Sequence, residues 1–173
     1  MIHTISDEHY FHKNMLKYCD RPFKDLNSEH KEFIRRHNQV VSPLDHTIHV
    51  GDIAMVGING ASRLKKIIEK LNGTHELVLG NHDEIKPFTY INEAGIMAVH
   101  TSLVIDYKGK KFVFAHDPAI WTAIPREQNI IFVCGHIHKL FKVLRKEQVV
   151  NVSADVWDYT PITLDTIIDA LKE

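Results

Sequence analysis

Five short clusters rich in histidine, aspartate and asparagine punctuate this chain: Asp7-Glu8-His9, Gly51-Asp52, Gly80-Asn81-His82-Asp83, His116 and Gly135-His136-Ile137-His138. Four of them follow apolar, β-branched runs, and three have a glycine directly before the polar residues. Oxygen and imidazole donors therefore recur where strands should end. A fold that satisfies this pattern must gather several strand ends at one edge, where the donors can share a metal centre.

The rest of the chain supplies the scaffold. Residues 2–5, 47–50 and 76–79 read as strands, and residues 12–18, 28–37, 62–71 and 87–93 as helices between or after them. Ser28, just before Glu29, His30 and Lys31, reads as the N-cap of the second helix, and Arg21-Pro22-Phe23 as the break before it. Leu64, Ile67, Ile68 and Leu71 form an apolar stripe that Asn72-Gly73 ends. Beyond Thr101 the pattern turns to strands, at 103–107, 111–115, 130–134, 141–144 and 149–152, with a last helix over 164–171. Strand and helix alternate in the first half and strands dominate the second, which predicts α/β layering with more than one sheet. No linker, repeat or low-complexity segment divides the chain, so residues 1–173 read as one domain.

Composition removes several classes. A chain of 173 residues with 44% apolar and 25% charged residues can build an ordinary globular core. No apolar run reaches the roughly 18 residues of a membrane span, and Met1-Ile2-His3-Thr4-Ile5-Ser6 does not read as a secretion signal. Two cysteines make no disulfide scaffold; Cys134, inside an apolar run, reads as a buried thiol, and a reducing cytoplasm fits. The net charge of -1 lacks the positive field of a duplex-groove binder. Lys108, Lys110 and Lys111 surround Gly109 between two strand-like runs and read as a solvated hairpin turn. Thirteen histidines are a surplus, and His30, His37, His46, His75 and His100 lie outside the clusters and need no ligand role.

The clusters suit cation chemistry. In an extended chain residues two apart point the same way, so Asp7 with His9, and His136 with His138, can each face one metal. Gly51 permits close backbone approach, and Asp52 has two oxygens with which to bridge two cations. Asn81 offers a hard amide oxygen and His116 a further imidazole. Taken singly, each motif is more simply a turn, a cap or a packed core histidine; together they fit a two-metal pair sharing a hydroxide that attacks a phosphate ester. His82, directly after Asn81, is the candidate proton donor to the leaving oxygen.

The ordered set Asp7-x-His9, Gly51-Asp52, Gly80-Asn81-His82-Asp83, His116 and Gly135-His136-x-His138 resembles the calcineurin-like metallophosphoesterase superfamily over roughly residues 1–165. The flanks from Ser6 to Asn14 and from Asn151 to Pro161 look like its small, single-domain bacterial and phage branch. The resemblance implies a four-layer α/β/β/α sandwich with two mixed sheets and a dinuclear centre at the strand ends. It implies that Asp7, His9 and His138 bind one metal, that Asn81, His116 and His136 bind the other, that Asp52 bridges them, and that His82 contacts phosphate. Mn²⁺ is the first choice of metal, with Fe, Zn or Ni as the others, since an oxygen and imidazole set does not discriminate. Many relatives carry an aspartate three residues after the bridging one; Met55 stands there in this chain, so the orienting partner of His82 is open.

The function implied is metal-dependent hydrolysis of a phosphate ester in an open groove. Small diesters or nucleotide-like substrates are favoured, because little chain is left for a cap. His12 could reach a phosphate oxygen, with packing as its other reading. Trp157 reads as packing and Arg63 as surface. The alternative is a metallophosphoesterase-like binding or scaffold domain that has lost its chemistry; the complete ligand set and His82 favour the enzyme.

Overall fold

The computed structural model describes residues 1–125, 127 and 129–172. Strand β1 (Ile2–Ile5) leads through α1 (Met15–Tyr18) and α2 (Leu26–Val40) to β2 (His46–Val50), then α3 (Ala61–Ile68) and β3 (Thr74–Val78). Helix α4 (Pro87–Thr89) runs on as a π-helical turn, Tyr90–Ala94, into β4 (Ala98–His100). The second half contains β5 (Leu103–Tyr107), β6 (Lys110–Phe114), β7 (Ile130–Cys134), β8 (Val143–Leu144), β9 (Val149–Asn151) and β10 (Ile162–Thr163), and α5 (Leu164–Ala170) follows.

The strands form two five-stranded sheets. The first has the order β10-β1-β2-β3-β4, parallel except for β10. The second has the order β5-β6-β7-β9-β8, with β6, β7 and β9 parallel and both edge strands antiparallel. This is the expected α/β/β/α sandwich of two mixed sheets. Alternation along the strands divides the core. Phe112 and Phe114 pack with Ile48, Val50, Val78, Ile131 and Val133 in one cluster that joins residues of both sheets, while Val113, Phe132 and Cys134 face the outer side with Trp121, Ile124 and Phe141. On the other side of the molecule α2 and α3 bury Phe33, Leu64, Ile67 and Ile68 over Ile5 and Leu77.

Parallel pairing is what positions the site, because the C-terminal ends of neighbouring parallel strands emerge at one edge. The ends of the two sheets also meet. Ser6 bridges to Ser153, with Ser6 N–H donating to the Val152 carbonyl at 3.0 Å and Ala154 N–H donating to the Ser6 carbonyl at 2.8 Å. The pairing continues past β1 and β2 as Asp7 N–H to Gly51 O, His9 N–H to Asp52 O and Tyr10 N–H to Ile53 O.

Three expectations change. Helix α2 starts earlier, because Asp25, not Ser28, is the N-cap: its carboxylate accepts from Ser28 N–H at 2.8 Å while Ser28 Oγ accepts from Asp25 N–H at 3.1 Å. The expected strand over 141–144 shortens to Val143–Leu144, as Phe141 packs on the outer core instead. Strands β4 and β10 were not expected, since two or three residues carry no readable alternation. The lysine-flanked turn is a hairpin as anticipated: Lys108 and Gly109 both take positive φ, 49° and 73°, the twist that joins two antiparallel strands through two residues.

Candidate metal centre

The donors reach the shared edge through a backbone that sequence spacing does not describe. Asp7, His9, Asp52, His136 and His138 all have positive φ, at 57°, 51°, 55°, 72° and 45°. The extended geometry invoked for Asp7-x-His9 and His136-x-His138 is therefore incorrect, although the donors do converge. The chain leaves β1, β2 and β7 through left-handed residues, a conformation that costs about 1 kcal/mol or more each for a side chain with a Cβ. Surrounding hydrogen bonds hold it there. Asp7 accepts from Ser6 Oγ at 2.7 Å and from His136 N–H at 3.0 Å, and Asp52 accepts from His82 N–H at 2.8 Å.

Two groups of donors result. Asp7, His9 and His138 present ligand atoms all within 4.8 Å of one another, and Asp52, His116 and His136 do the same. Asp52 stands between them: its Oδ2 lies 3.6 Å from His9 Nε2 and 3.3 Å from His116 Nε2. Asn81 joins the second group, with Oδ1 2.9 Å from His136 Nδ1. Close approach depends on missing side chains. A Cβ on Gly51 would lie 2.3 Å from His116 Nδ1, and one on Gly80 2.2 Å from Asp52 Oδ1.

These residues fit cations. Asp7, His9, Asp52 and His116 are buried, yet both ring nitrogens of His9 and the Nε2 of His116 have no hydrogen-bond partner. Buried imidazole nitrogens are normally satisfied; here the Nε2 atoms of His9 and His116 both face Asp52 Oδ2. His116 Nδ1 is turned to the Val50 carbonyl at 2.8 Å and His138 Nδ1 to Asp155 at 2.8 Å, which leaves each Nε2 as the atom that could face a metal.

Charges respond accordingly. Burial raises Asp7, against the charges of His116 and His138. Burial also pushes Asp52 up, but the nearby His116 ring and the His82 N–H bring it down to about 2. Burial lowers His116 and His138, yet the facing carboxylates of Asp52 and Asp7 carry His116 up to about 9, and the Asp155 bond carries His138 up to about 10. The site thus gathers positive charge against its carboxylates, which is the demand that cations meet.

Several residues that build the site were not evident in the sequence. Arg21, noted only as part of a chain break, is a buried guanidinium that donates to the Asp7 and Glu8 carbonyls at 2.7 and 2.9 Å, to Glu29 at 2.9 Å and to both oxygens of Asp155. Asp83 accepts from the backbone N–H groups of Asp52, Ile53 and Gly80 at 2.7, 3.1 and 2.8 Å. It ties the loops after β2 and β3 together and does not orient the His82 imidazole. No carboxylate among the described residues bonds that ring, which faces His9 and His12 at centroid distances of 5.4 and 6.1 Å. A third donor group, Cys19, His138 and Asp155, shares His138, but Arg21 already engages the Asp155 oxygens. Cys134 is buried as expected, its thiol pushed up to about 12 by burial. Trp157 packs on the core joining the sheets and donates to Asn151 O at 2.7 Å. Arg63 is exposed, its guanidinium 4.5 Å above Phe11.

A four-layer sandwich with histidine and carboxylate clusters at its strand ends defines a metal-binding hydrolase type of site. The model of the calcineurin-like phosphoesterase superfamily domain matches residues 1–154, and the chain belongs to that superfamily. It is 30% identical over 175 residues to the uncharacterized protein MJ1445 of Methanocaldococcus jannaschii, covering 99% of this chain and 92% of that one. The crystal structure of the protein of unknown function AQ665 from Aquifex aeolicus superposes with a TM-score of 0.75 at 24% identity, covering 99% of this chain and 98% of that chain, and supports the fold. No helix among the described residues is long and apolar enough to cross a membrane.

Proposed function

We propose that this protein hydrolyses phosphate esters with two divalent cations, Mn²⁺ first among them, and prefers small phosphodiesters or nucleotide-like substrates. Asp7, His9 and His138 would hold one ion, Asn81, His116 and His136 the other, with Asp52 shared. The observation that carries this reading is the orphaned Nε2 of His9 and of His116 on either side of Asp52 Oδ2. Bound there, the cations would neutralise phosphate oxygens and lower the pKa of water.

The protein's own groups do the rest. Asp52 is fixed by His82 N–H, so its oxygens need no reorganisation. His82, half-buried beside His9, is within reach of a substrate on the ligand cluster and donates the proton to the leaving oxygen. Its ring is placed by its backbone bond and by packing, without a carboxylate partner among the described residues. His12, whose Nδ1 is buried and unpartnered, contacts a phosphate oxygen. Burial keeps that ring below its ordinary pKa and hence neutral at pH 7. Both cysteines are free and buried, which fits a reducing cytoplasm.

Chelator-stripped protein, reloaded in turn with Mn²⁺, Fe²⁺, Zn²⁺ and Ni²⁺, tests the proposal on monoesters, linear diesters and cyclic nucleotides. Hydrolysis should return with metal, fastest with Mn²⁺ and on diesters. Asp52→Asn should lose most activity, and His82→Ala should keep its metal content while slowing most on esters with poor leaving groups. Failure of every metal to restore turnover would refute the proposal.

A further inference from the structure

Beside the donor clusters lies a cavity of about 570 Å³, of a size suited to a small ligand. Helix α1 supplies Met15 and Tyr18, the loop after β7 supplies Ile137 and Leu140, and His12 and His82 line it as well. Its wall is unusual for a water-facing surface. Tyr18 is 70% exposed and Leu140 78% exposed, large apolar groups left in water next to a polar centre. Met15, the buried residue of α1, anchors that helix in the core and leaves Tyr18 at its solvent-facing end.

Aromatic rings mark a path from the clusters into this cavity. His9, a donor of the first group, lies 5.3 Å from His12, and His12 lies 6.4 Å from Tyr18 in an edge-to-face arrangement at 88°. Because His9 and His138 border both the cavity and the donor group, a phosphate seated at the clusters leaves one ester arm in the cavity. We infer that this arm is a flat aromatic group, a nucleobase or an aryl ring, packed on Tyr18 and Leu140. The inference rests on the phosphoesterase reading above and names the substrate class for it. A planar ring gains most where a tyrosine offers its face or edge and an aliphatic side chain adds apolar area, and an arm as small as methyl would leave both exposed.

Calorimetric titration of the Mn²⁺-loaded full chain tests this without turnover. The ligands are inorganic phosphate, methylphosphonate, phenylphosphonate and adenosine 5′-methylenephosphonate. One or both aromatic phosphonates should bind about tenfold or more tighter than methylphosphonate, the scale of one stacking contact. The stronger of the two identifies the arm as nucleoside or simple aryl. In Tyr18→Ala/Leu140→Ser the ratio of aromatic to methyl affinity should fall toward one at wild-type metal content, and Tyr18→Phe should restore it. Equal affinity of methyl and aromatic ligands for the wild type, or a ratio unchanged in the double variant, overturns the assignment and leaves the phosphoesterase reading standing. If inorganic phosphate and methylphosphonate also fail to bind the metal-loaded protein, that reading falls and this inference with it.

Discussion

Asp155 meets two demands with one carboxylate. Its Oδ2 holds His138 Nδ1 at 2.8 Å, and both oxygens accept from Arg21 at 2.9 and 3.1 Å. The first contact fixes the ring so that Nε2 faces Asp7; the second keeps the carboxylate from rotating away. Burial alone would raise Asp155, yet the His138 and Arg21 bonds hold it down at about 2. Loss of such an outer carboxylate typically weakens metal binding about 10- to 100-fold. At the proposed two-cation centre, Asp155→Asn should therefore weaken one of two Mn²⁺ binding steps by about tenfold or more, read by calorimetry on stripped protein; two unaltered steps would remove Asp155 from that role. Arg21 carries a structural consequence instead. Its side chain is 0% exposed, and its partners Glu29 and Asp155 are 1% and 0% exposed. Arg21→Met strands two buried carboxylates and two backbone carbonyls, a loss of about 3–5 kcal/mol by comparison with other broken buried pairs. Urea denaturation measures it, and a loss below about 1 kcal/mol would show that the network contributes little.

At the scale of elements, short side-chain ties fix where helices start and how the site loops meet. The reciprocal bonds of Asp25 and Ser28 satisfy donors at the start of α2, a helix that carries Phe33 and His37 into the core. Asp25→Ala should cost about 1 kcal/mol, seen as a melting point lower by about 3 °C for a chain of this size; an unchanged melting point would mean the helix end is satisfied by water. The same case shows what sequence reading reaches. Ser28 carried the cap signal in the sequence, and only the bonds move the cap to Asp25. The strands bearing the motifs were legible because β1, β2, β3, β6 and β7 each end in an apolar residue that polar donors or a glycine then follow. Strands β4 and β10 were not, being too short for any period. The donor clusters were legible from residue types in order. Their geometry was not, because positive φ at Asp7, His9, Asp52, His136 and His138 leaves no mark in sequence spacing. Arg21 and Asp83 were hidden for a different reason: an arginine or aspartate is ordinarily solvated, and nothing local marks these two as buried ties.

Across the whole molecule, a file of buried polar groups runs from Glu8 in the loop after β1 to Asn72 in the loop after α3. Glu8 meets His49 Nδ1 at 2.5 Å, His49 Nε2 meets His75 Nδ1 at 3.1 Å, the His75 and His37 rings lie 5.6 Å apart, and His37 Nε2 bonds Asn72 O at 3.0 Å. Burial holds His37 down at about 4, against the Asn72 bond, and holds His75 down at about 2. Between pH 6.5 and 4 the unfolded chain takes a proton on His37 while the folded one does not. The stability this ring allows is thus complete above pH 6.5 and drains away as the pH falls toward 4. For one such ring the loss from pH 6.5 to 5 is about 2 kcal/mol. Groups with raised values act in the other direction: burial carries Glu8 to about 8 and Asp83 to about 6, so both favour the folded state on acidification. The total pH profile therefore mixes signs, and only a difference isolates His37. In His37→Gln, an amide can still donate to Asn72 O but takes no proton. The stability of wild type minus that of the variant, from urea denaturation of chelator-treated protein, should fall by about 2 kcal/mol between pH 7 and pH 5. A difference that stays level with pH would mean that His37 is protonated as easily in the fold as in the open chain, and that the ring file is not shielded from solvent.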